Sequence, residues 1–309
     1  ILPAQKEIRI YNRQIHNSQK GVSQIAPKVS GFKGYYVIHY NADIIDYGTY
    51  QDGNINLASP SANGSHVGGY IVFKEGTQQV EIVIPTTASF EYIKEKVKDS
   101  WNHYLSKVQL EGASKDELQI YYTALFHTLQ FPRETSEHGK YFSAFDSKIH
   151  EGVSYNDYSL WDTFRAEHPW LQLIAPERVN DMIQSLVQMY QEGGWLPKWP
   201  NPTYSNIMIG THADAVIADA YINGFRGYDV KTAYEAIRKN AYTPPAQDEA
   251  FRWKDRAPWN GHYEARGGLT NYLKQGYVSE EKANESVSRT LEFALDDYCI
   301  AQMAKALGH

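Results

Sequence analysis

The spacing of hydrophobic residues changes once along the 309-residue chain, near Pro85. Before that point, residues 33–41 (KGYYVIHYN) and 69–73 (GYIVF) are rich in β-branched and aromatic residues, and residues 80–84 (VEIVI) alternate. Clusters of Gly, Asn, Asp and Ser separate these segments, which is typical of antiparallel strands joined by turns. The chain before Pro85 is therefore predicted to form an antiparallel, sandwich-like β structure.

After Pro85 the apolar residues recur at helical spacing. Residues 89–108 predict a helix that links two domains. Ser114 and Glu117 match a capping box, which opens a second helix that extends to about Leu129. Further helices are predicted near 159–174, 177–191, 212–223, 230–242 and 279–307. Helices that follow one another across short loops predict stacked αα-hairpins, a bundle or an (α/α) toroid.

Composition limits the classes of function. The chain has 30 Lys and Arg residues against 36 Asp and Glu residues, and this acidic balance argues against nucleic acid as the main partner. No apolar run is long enough for a membrane-spanning helix. The single cysteine, Cys299, allows no intrachain disulfide bond. The sequence also lacks the motifs of nucleotide enzymes, α/β-hydrolases and zinc ribbons.

The string at residues 159–165 (SLWDTFR) is the densest candidate for a binding site. It places Trp161 beside Asp162 at the start of a predicted helix. The indole ring offers a stacking face, and the carboxylate accepts hydrogen bonds from sugar hydroxyls. The same string also fits a core tryptophan next to a surface ion pair of Asp162 with Arg165, so both interpretations stay open.

Two further strings carry candidate residues. Residues 193–199 (GGWLPKW) form a loop whose Trp199 either lines a ligand cleft or covers the edge of the domain. Residues 208–221 (MIGTHADAVIADAY) place His212 and Asp214 at the start of a helix. This pair could bind a metal ion, but it fits the capping of a first helical turn equally well.

In this order, the three strings resemble glycoside hydrolase family 92. The resemblance extends from about Phe73 to the C-terminus and includes residues 121–125 (YYTAL), 233–239 (AYEAIRK) and 290–299 (TLEFALDDYC). It implies an exo-acting, inverting α-mannosidase that depends on Ca²⁺ and hydrolyses terminal α-mannosides of N-glycans or mannans. It further implies a bacterial protein that is periplasmic or extracellular.

The resemblance also implies a division into domains. Residues 1–86 are expected to be the end of an N-terminal antiparallel β-sandwich, and residues 87–113 a linker helix. Residues 114–309 are expected to be about the first half of an (α/α)6 toroid. We therefore expect a partial chain, whose partner is the remainder of the same protein.

A mannoside oligosaccharide is the substrate that the resemblance implies. Trp161 and Asp162 match the pair that contacts the terminal sugar in the family. His212 and Asp214 match a segment near the pocket, and Trp199 is expected at the pocket rim. The Ca²⁺ ion is expected to bind the 2- and 3-hydroxyls of the sugar.

The sequence departs from the family in its catalytic carboxylates. An inverting glycosidase needs a general acid and a general base, about 6.5–9.5 Å apart. The family segments that carry them resemble E-G-N-x-W and G-N-[DE]-D, and neither occurs in this sequence. We expect these residues and the main calcium ligands to follow the present C-terminus.

Two other functions stay open. A different (α/α)6 glycosidase could use Asp162, Glu167 and Asp214 as its carboxylates. Alternatively, the protein could bind mannose without catalysing a reaction.

We predict that the 309-residue chain by itself hydrolyses no mannoside, because its sequence lacks the family's two carboxylate segments. The purified chain should release the phenol of an aryl α-mannoside, with Ca²⁺ present, no faster than a protein-free control. Measurable turnover would contradict the placement of the catalytic residues.

Overall fold

The computed structural model describes residues 1–13, 33–64, 67–77, 82–83, 90–205, 207–255 and 264–309. The described residues up to 99 form one compact unit, and those from 100 onward form another. Parts of two predicted segments, 80–84 and 87–113, lie outside the described residues. No helix in the described part of the chain is long and apolar enough to cross a membrane.

The first unit is an antiparallel β structure. Its strands are β1 (Glu7–Arg13), β2 (Lys33–Tyr40), β3 (Ile44–Gln51), β4 (Asn54–Leu57), β5 (Val67–Phe73) and β6 (Ile82–Val83). One sheet has the order β1-β2-β6 and the other β4-β3-β5. Tyr40 of the first sheet packs edge-on against Phe73 of the second, with ring centroids 5.9 Å apart. The predicted strands at 33–41 and 69–73 are confirmed as β2 and β5.

Helices dominate the rest of the chain. They are α1 (Phe90–Leu105), α2 (Lys115–Thr128), α3 (Leu160–Thr163), α4 (Glu167–Ile174), α5 (Pro176–Gly193), α6 (Ala213–Ile222), α7 (Val230–Tyr242), α8 (Leu269–Gln275) and α9 (Ser286–Ala306). Short antiparallel strands lie between α2 and α3, where β7 (Arg133–Glu134) pairs with β10 (Tyr155–Asn156) and β8 (Lys140–Phe142) with β9 (Ile149–Glu151). The predicted order of antiparallel strands followed by helices is confirmed, whereas α8 and β7 to β10 were not predicted.

The start of α2 has the predicted capping box. The Ser114 hydroxyl accepts a hydrogen bond from the Glu117 backbone N–H, at 3.3 Å. The Glu117 carboxylate in turn accepts from the Ser114 backbone N–H, at 2.8 Å. Each side chain thus satisfies a backbone donor that the first helical turn leaves without a partner.

The predicted helix at 159–174 is wrong in its continuity, because the structure breaks it into α3 and α4. Pro169 supplies the physical reason. In a continuous helix its ring would clash with the carbonyl of Arg165, and it has no N–H to donate to that carbonyl. The break leaves Trp161 and Asp162 on a four-residue helix of their own.

The predicted helix at 279–307 is wrong at its start, since α9 begins only at Ser286. The backbone before it pairs with Trp253 instead. The Trp253 N–H donates to the Lys282 carbonyl at 2.7 Å, and the Asn284 N–H donates to the Trp253 carbonyl at 2.9 Å. These bonds to a residue about thirty positions earlier replace the helical bonds that the local sequence favours.

Helix α6 lies inside the second unit. Its sequence, ADAVIADAYI, consists mostly of small or aliphatic residues, and eight of its ten residues are buried. It packs against α5, α7 and α9. Alanine side chains allow neighbouring helices to approach closely, so this helix is enclosed on several sides. The carboxylate of Asp214, in its first turn, therefore lies in the interior.

Candidate functional site

Trp161 and Asp162 lie side by side on α3 and both are accessible to solvent, with the tryptophan 36% exposed. The Asp162 Oδ2 accepts a hydrogen bond from the Ser159 hydroxyl at 2.5 Å. The guanidinium of Arg165 lies 5.1 Å from the centroid of the Trp161 ring. The structure therefore places an aromatic ring and a hydrogen-bond acceptor together at the surface rather than in the core.

The ion pair of Asp162 with Arg165, which the sequence left open, is replaced by a long-range pair. Arg165 donates instead to Glu292 Oε1 on α9, at 3.2 Å. The other oxygen, Glu292 Oε2, lies 3.3 Å from His212 Nε2. Through Glu292, the sequence-predicted residues Trp161 and His212 belong to one series of contacts.

His212 is buried and held on two sides. Its Nδ1 lies 2.8 Å from Asp296 Oδ1, and because an ionised carboxylate only accepts, we assign a hydrogen to Nδ1. Its ring stacks on Phe164, with centroids 4.2 Å apart and planes 17° apart. His212 Nε2 makes no hydrogen bond within the described part of the chain. The imidazole thus faces a carboxylate on each side.

Gly210 makes room for this imidazole. Its φ of +81° lies in the left-handed region, which glycine adopts without strain. A Cβ at this position would stand only 2.6 Å from His212 Nε2 and 3.2 Å from Glu292 Cβ. A glycine before His212 is therefore required both by the backbone conformation and by the close packing of the ring.

Asp214 is completely buried, and its carboxylate accepts hydrogen bonds from three side chains. Its Oδ2 accepts from the Thr211 hydroxyl at 2.7 Å and from the Arg266 guanidinium at 3.0 Å. Its Oδ1 accepts from the Asn240 amide at 2.7 Å. Both His212 and Asp214 are buried, whereas Trp161 and Asp162 are exposed.

Arg266 connects this carboxylate to α9. It is completely buried, and it donates to the Thr211 hydroxyl at 2.9 Å and to Asp297 Oδ1 at 2.6 Å. The Thr211 backbone N–H donates to Asp296 Oδ2 at 2.7 Å. Burial alone lowers the pKa of Arg266, but Asp214 and the two α9 aspartates outweigh burial and raise it. Burial raises the pKa of Asp214, and Arg266 opposes that rise.

Glu167, a candidate carboxylate, is half-buried at the start of α4. Burial, followed by the negative charge of Asp162, raises the pKa of Glu167 to about 7. Its Oε1 atom is buried and has no hydrogen-bond partner among the described residues. A carboxyl group with this pKa holds its proton partly at neutral pH.

Trp199 lies in a loop that is held by hydrogen bonds of its own. Its carbonyl accepts from the Ser205 hydroxyl at 2.6 Å. The buried carboxylate of Glu264 accepts from the backbone N–H groups of Lys198 and Ser205, the latter at 3.1 Å. Burial raises the pKa of Glu264, while the ammonium of Lys198 opposes that rise. The Trp199 side chain is half-buried in this loop.

Glu292, Asp296 and Arg266 were not predicted from the sequence as members of the site. The buried positions of α9 are Arg289, Phe293, Asp296, Ile300 and Met303. Their spacing of four and three residues marks a core-facing stripe, and Asp296 is a carboxylate in the middle of it. A charged residue at a core position could have drawn attention to Asp296, because buried carboxylates need partners.

The described residues around Asp214 do not fit calcium. Ca²⁺ takes six to eight oxygen ligands, whereas these carboxylate oxygens already accept from Arg266, Thr211 and Asn240. Nowhere among the described residues do three acidic, His or Cys side chains come together so that they could hold a metal ion.

Comparison with known proteins assigns the family. The sequence model described as the glycosyl hydrolase family 92 catalytic domain matches residues 76–309, and the chain belongs to this family. Its sequence strings around Trp161, Trp199 and His212 all lie within the matched residues. Family membership fits a surface aromatic beside a carboxylate, which is a combination that suits carbohydrate binding.

Solved structures of the family resemble the chain over most of its length. A family GH92 inverting mannosidase from Bacteroides thetaiotaomicron VPI-5482 has a TM-score of 0.82 and 27% identity, over 100% of this chain and 42% of that chain. A family GH92 alpha-mannosidase from Bacteroides thetaiotaomicron has a TM-score of 0.70 and 26% identity, over 89% of this chain and 38% of that chain.

A curated relative is similar at the level of sequence. An uncharacterized secreted glycosidase of Arthroderma benhamiae is 24% identical over 283 residues, which are 87% of this chain and 31% of the relative. The chain thus spans less than half the length of each of these three proteins.

Replacing the buried arginine should be far more costly than replacing an exposed one. Arg266→Met leaves Asp214 buried without its cation, and we expect a loss of about 3–5 kcal/mol in unfolding free energy. Arg252→Met removes an exposed pair with Glu280, and we expect a loss below about 1 kcal/mol. Urea unfolding at pH 7 measures both, and equal losses in the two variants would contradict the assigned network.

Glu167 should make the stability of the protein fall as pH rises from 5 to 8. The folded state keeps the proton up to about pH 7, whereas the unfolded state loses it near pH 4.5, so the folded state binds more protons in between. We expect Glu167→Gln to remove about 1–3 kcal/mol of this fall. Urea unfolding at both pH values tests this against Glu281→Gln, an exposed control that should behave as wild type.

Proposed function

We propose that the protein containing this chain is an exo-acting α-mannosidase that inverts the anomeric centre and hydrolyses terminal α-mannosides of N-glycans or mannans. Membership of family 92 supports this activity. Two related proteins are mannosidases, and one of them is an inverting enzyme. The observation in this chain that carries the proposal is the accessible pair of Trp161 and Asp162 on α3.

The pair supplies two complementary contacts for a sugar. The exposed face of Trp161 can cover the apolar C–H face of a pyranose ring. The carboxylate of Asp162 has two oxygens, one of which accepts from Ser159, so it retains capacity to accept from adjacent sugar hydroxyls. His212 and Asp214, which are buried at the start of α6, would support the sugar site from the interior. Trp199 would border the pocket from its own loop.

The finer architecture is part of the same proposal. Residues 1–86 would end a β-sandwich, residues 87–113 would link it, and residues 114–309 would form about half of an (α/α)6 toroid. An exposed apolar stripe on α9, made of Val287, Leu291 and Tyr298, supports a further helical layer. Such a stripe at helical spacing is unfavourable in water unless another apolar surface covers it.

The catalytic acid and base would come from the rest of the protein, as would the ligands of the Ca²⁺ ion. We further propose that the protein is exported to the periplasm or the exterior of a bacterium. The related glycosidase of Arthroderma benhamiae is a secreted protein, which supports export but not the type of cell.

One observation favours a second function. The raised pKa of Glu167, beside the negative charge of Asp162, is what a glycosidase general acid needs at neutral pH. A different (α/α)6 glycosidase could therefore use Glu167 with Asp162. Asp214 is less suited to act on a sugar, because it is completely buried and holds Arg266. A protein that only binds mannose would keep the same surface pair.

Replacing Asp162 in the complete protein tests the proposal. Asp162→Asn keeps the size of the side chain but removes the charge that strengthens its hydrogen bonds. We expect kcat/KM for an aryl α-mannoside to fall about 10- to 100-fold. Asp181→Asn, at an exposed position of α5, should leave it unchanged. An unchanged kcat/KM in Asp162→Asn would exclude Asp162 from the sugar site.

Glu167→Gln in the complete protein separates the alternatives. The proposal expects less than about a fivefold loss in kcat, whereas a general acid would lose a factor of about 10² or more. Calorimetry with mannose, on a complete protein that turns over neither mannosides nor glucosides, would identify the binding protein instead.

A further inference from the structure

A series of side-chain contacts leads from the interior to the surface of the second unit. It runs from Asp296 to His212, then to Glu292 and Arg165, and ends at the Trp161 ring. We call these five residues the polar ladder. The side chains become more exposed along it, from 0% in Asp296 and 1% in His212 to 15% in Glu292 and 48% in Arg165. The tightly packed interior can therefore restrict the orientation of the accessible Trp161 ring.

The inner end of the polar ladder is rigid. His212 Nδ1 is fixed on Asp296, and its ring lies flat against Phe164. The absence of a side chain at Gly210 lets the imidazole and the Glu292 stem approach the backbone closely. The imidazole therefore has little freedom to turn, and its Nε2 lies 3.3 Å from Glu292 Oε2, a close approach without a hydrogen bond.

Glu292 connects the buried end of the polar ladder to its exposed end. One of its oxygens faces His212, and the other accepts from the Arg165 guanidinium, so both oxygens have an assigned neighbour. Glu292 and Arg165 are 127 residues apart in sequence. The carboxylate thus fixes the segment after α3 against the side of α9, although nothing local in either segment requires that contact.

Arg165 connects Glu292 to the tryptophan ring. Its guanidinium lies over two rings at once, 5.1 Å from the Trp161 centroid and 4.6 Å from the Phe164 centroid. A half-exposed arginine without an anionic partner samples many rotamers. The ion pair with Glu292 restricts the Arg165 side chain to the rotamer that covers these rings.

We propose that Glu292 is a positioning residue for Trp161: through Arg165 it sets the orientation of the ring that would stack on the sugar. The effect of this positioning on sugar binding rests on the proposed function. The positioning itself can be measured without a substrate. Glu292 would not touch the sugar or the reacting atoms. It would contribute uniform binding, which changes KM rather than kcat.

Fluorine NMR of the complete protein labelled with 5-fluorotryptophan tests the positioning directly. Trp161→Phe identifies the Trp161 resonance by its loss. In Glu292→Gln we expect that resonance to shift or broaden, because Arg165 loses its charged partner. Glu285→Gln is the matched control, since Glu285 also pairs with an arginine, Arg289, near the start of the same helix. It should leave the Trp161 resonance unchanged.

Kinetics of the same proteins test the consequence. We expect Glu292→Gln to raise KM for an aryl α-mannoside about fivefold with kcat nearly unchanged, the size expected for one cation–π contact. In a Trp161→Ala background, Glu292→Gln should raise KM no further, because the ring that it positions is gone. Arg165→Lys should fall between wild type and Glu292→Gln, because lysine keeps the charge but not the planar fork.

The outcomes separate the two proposals. An unchanged Trp161 resonance in Glu292→Gln overturns the inference, whatever the enzyme hydrolyses. A shifted resonance with no effect of Trp161→Ala on KM upholds the positioning and contradicts the proposed sugar contact. A large loss of kcat in Glu292→Gln, or an additive effect in the Trp161→Ala background, would also overturn the inference, because Glu292 would then act independently of the ring.

Discussion

The buried pair of Arg266 and Asp214 is the interaction on which the second unit depends. Two carboxylates, Asp214 of α6 and Asp296 of α9, lie in the interior of a helical core, and neither can stay charged there without donors. Arg266 and Thr211 supply those donors and tie the start of α6 to α9. The helices are therefore joined at this point by directional hydrogen bonds as well as by apolar packing.

The surface pair depends on the same interior. Asp296 fixes His212, and the contacts through Glu292 then reach Arg165 and the Trp161 ring. The short helix that carries Trp161 and Asp162 has only four residues, so its own hydrogen bonds cannot hold it firmly. With Glu292 as a positioning residue, α9 sets the orientation of the accessible ring.

The features that could be predicted from the sequence depend on residues that are close together in the chain. The strands β2 and β5 follow from β-branched and aromatic residues, and the capping box at Ser114 follows from two residues three apart. The break before α4 was also predictable, because Pro169 stands in the sequence. The start of α9 was not, since its upstream backbone bonds to Trp253, and a pairing across such a distance leaves no periodic signal.

The candidate site likewise has a part that the sequence predicts and a part that it does not. Trp161 and Asp162 can be selected from residue type alone, but the contact of Arg165 with Glu292 joins positions 127 residues apart. A crystal structure of the complete protein with a mannose-configured inhibitor tests the sugar contact of Trp161 and Asp162 most directly. We expect Asp162 to accept from a sugar hydroxyl at about 2.5–3.0 Å, with the Trp161 ring in contact with the pyranose. An inhibitor bound where neither residue touches it would contradict the proposed sugar contact.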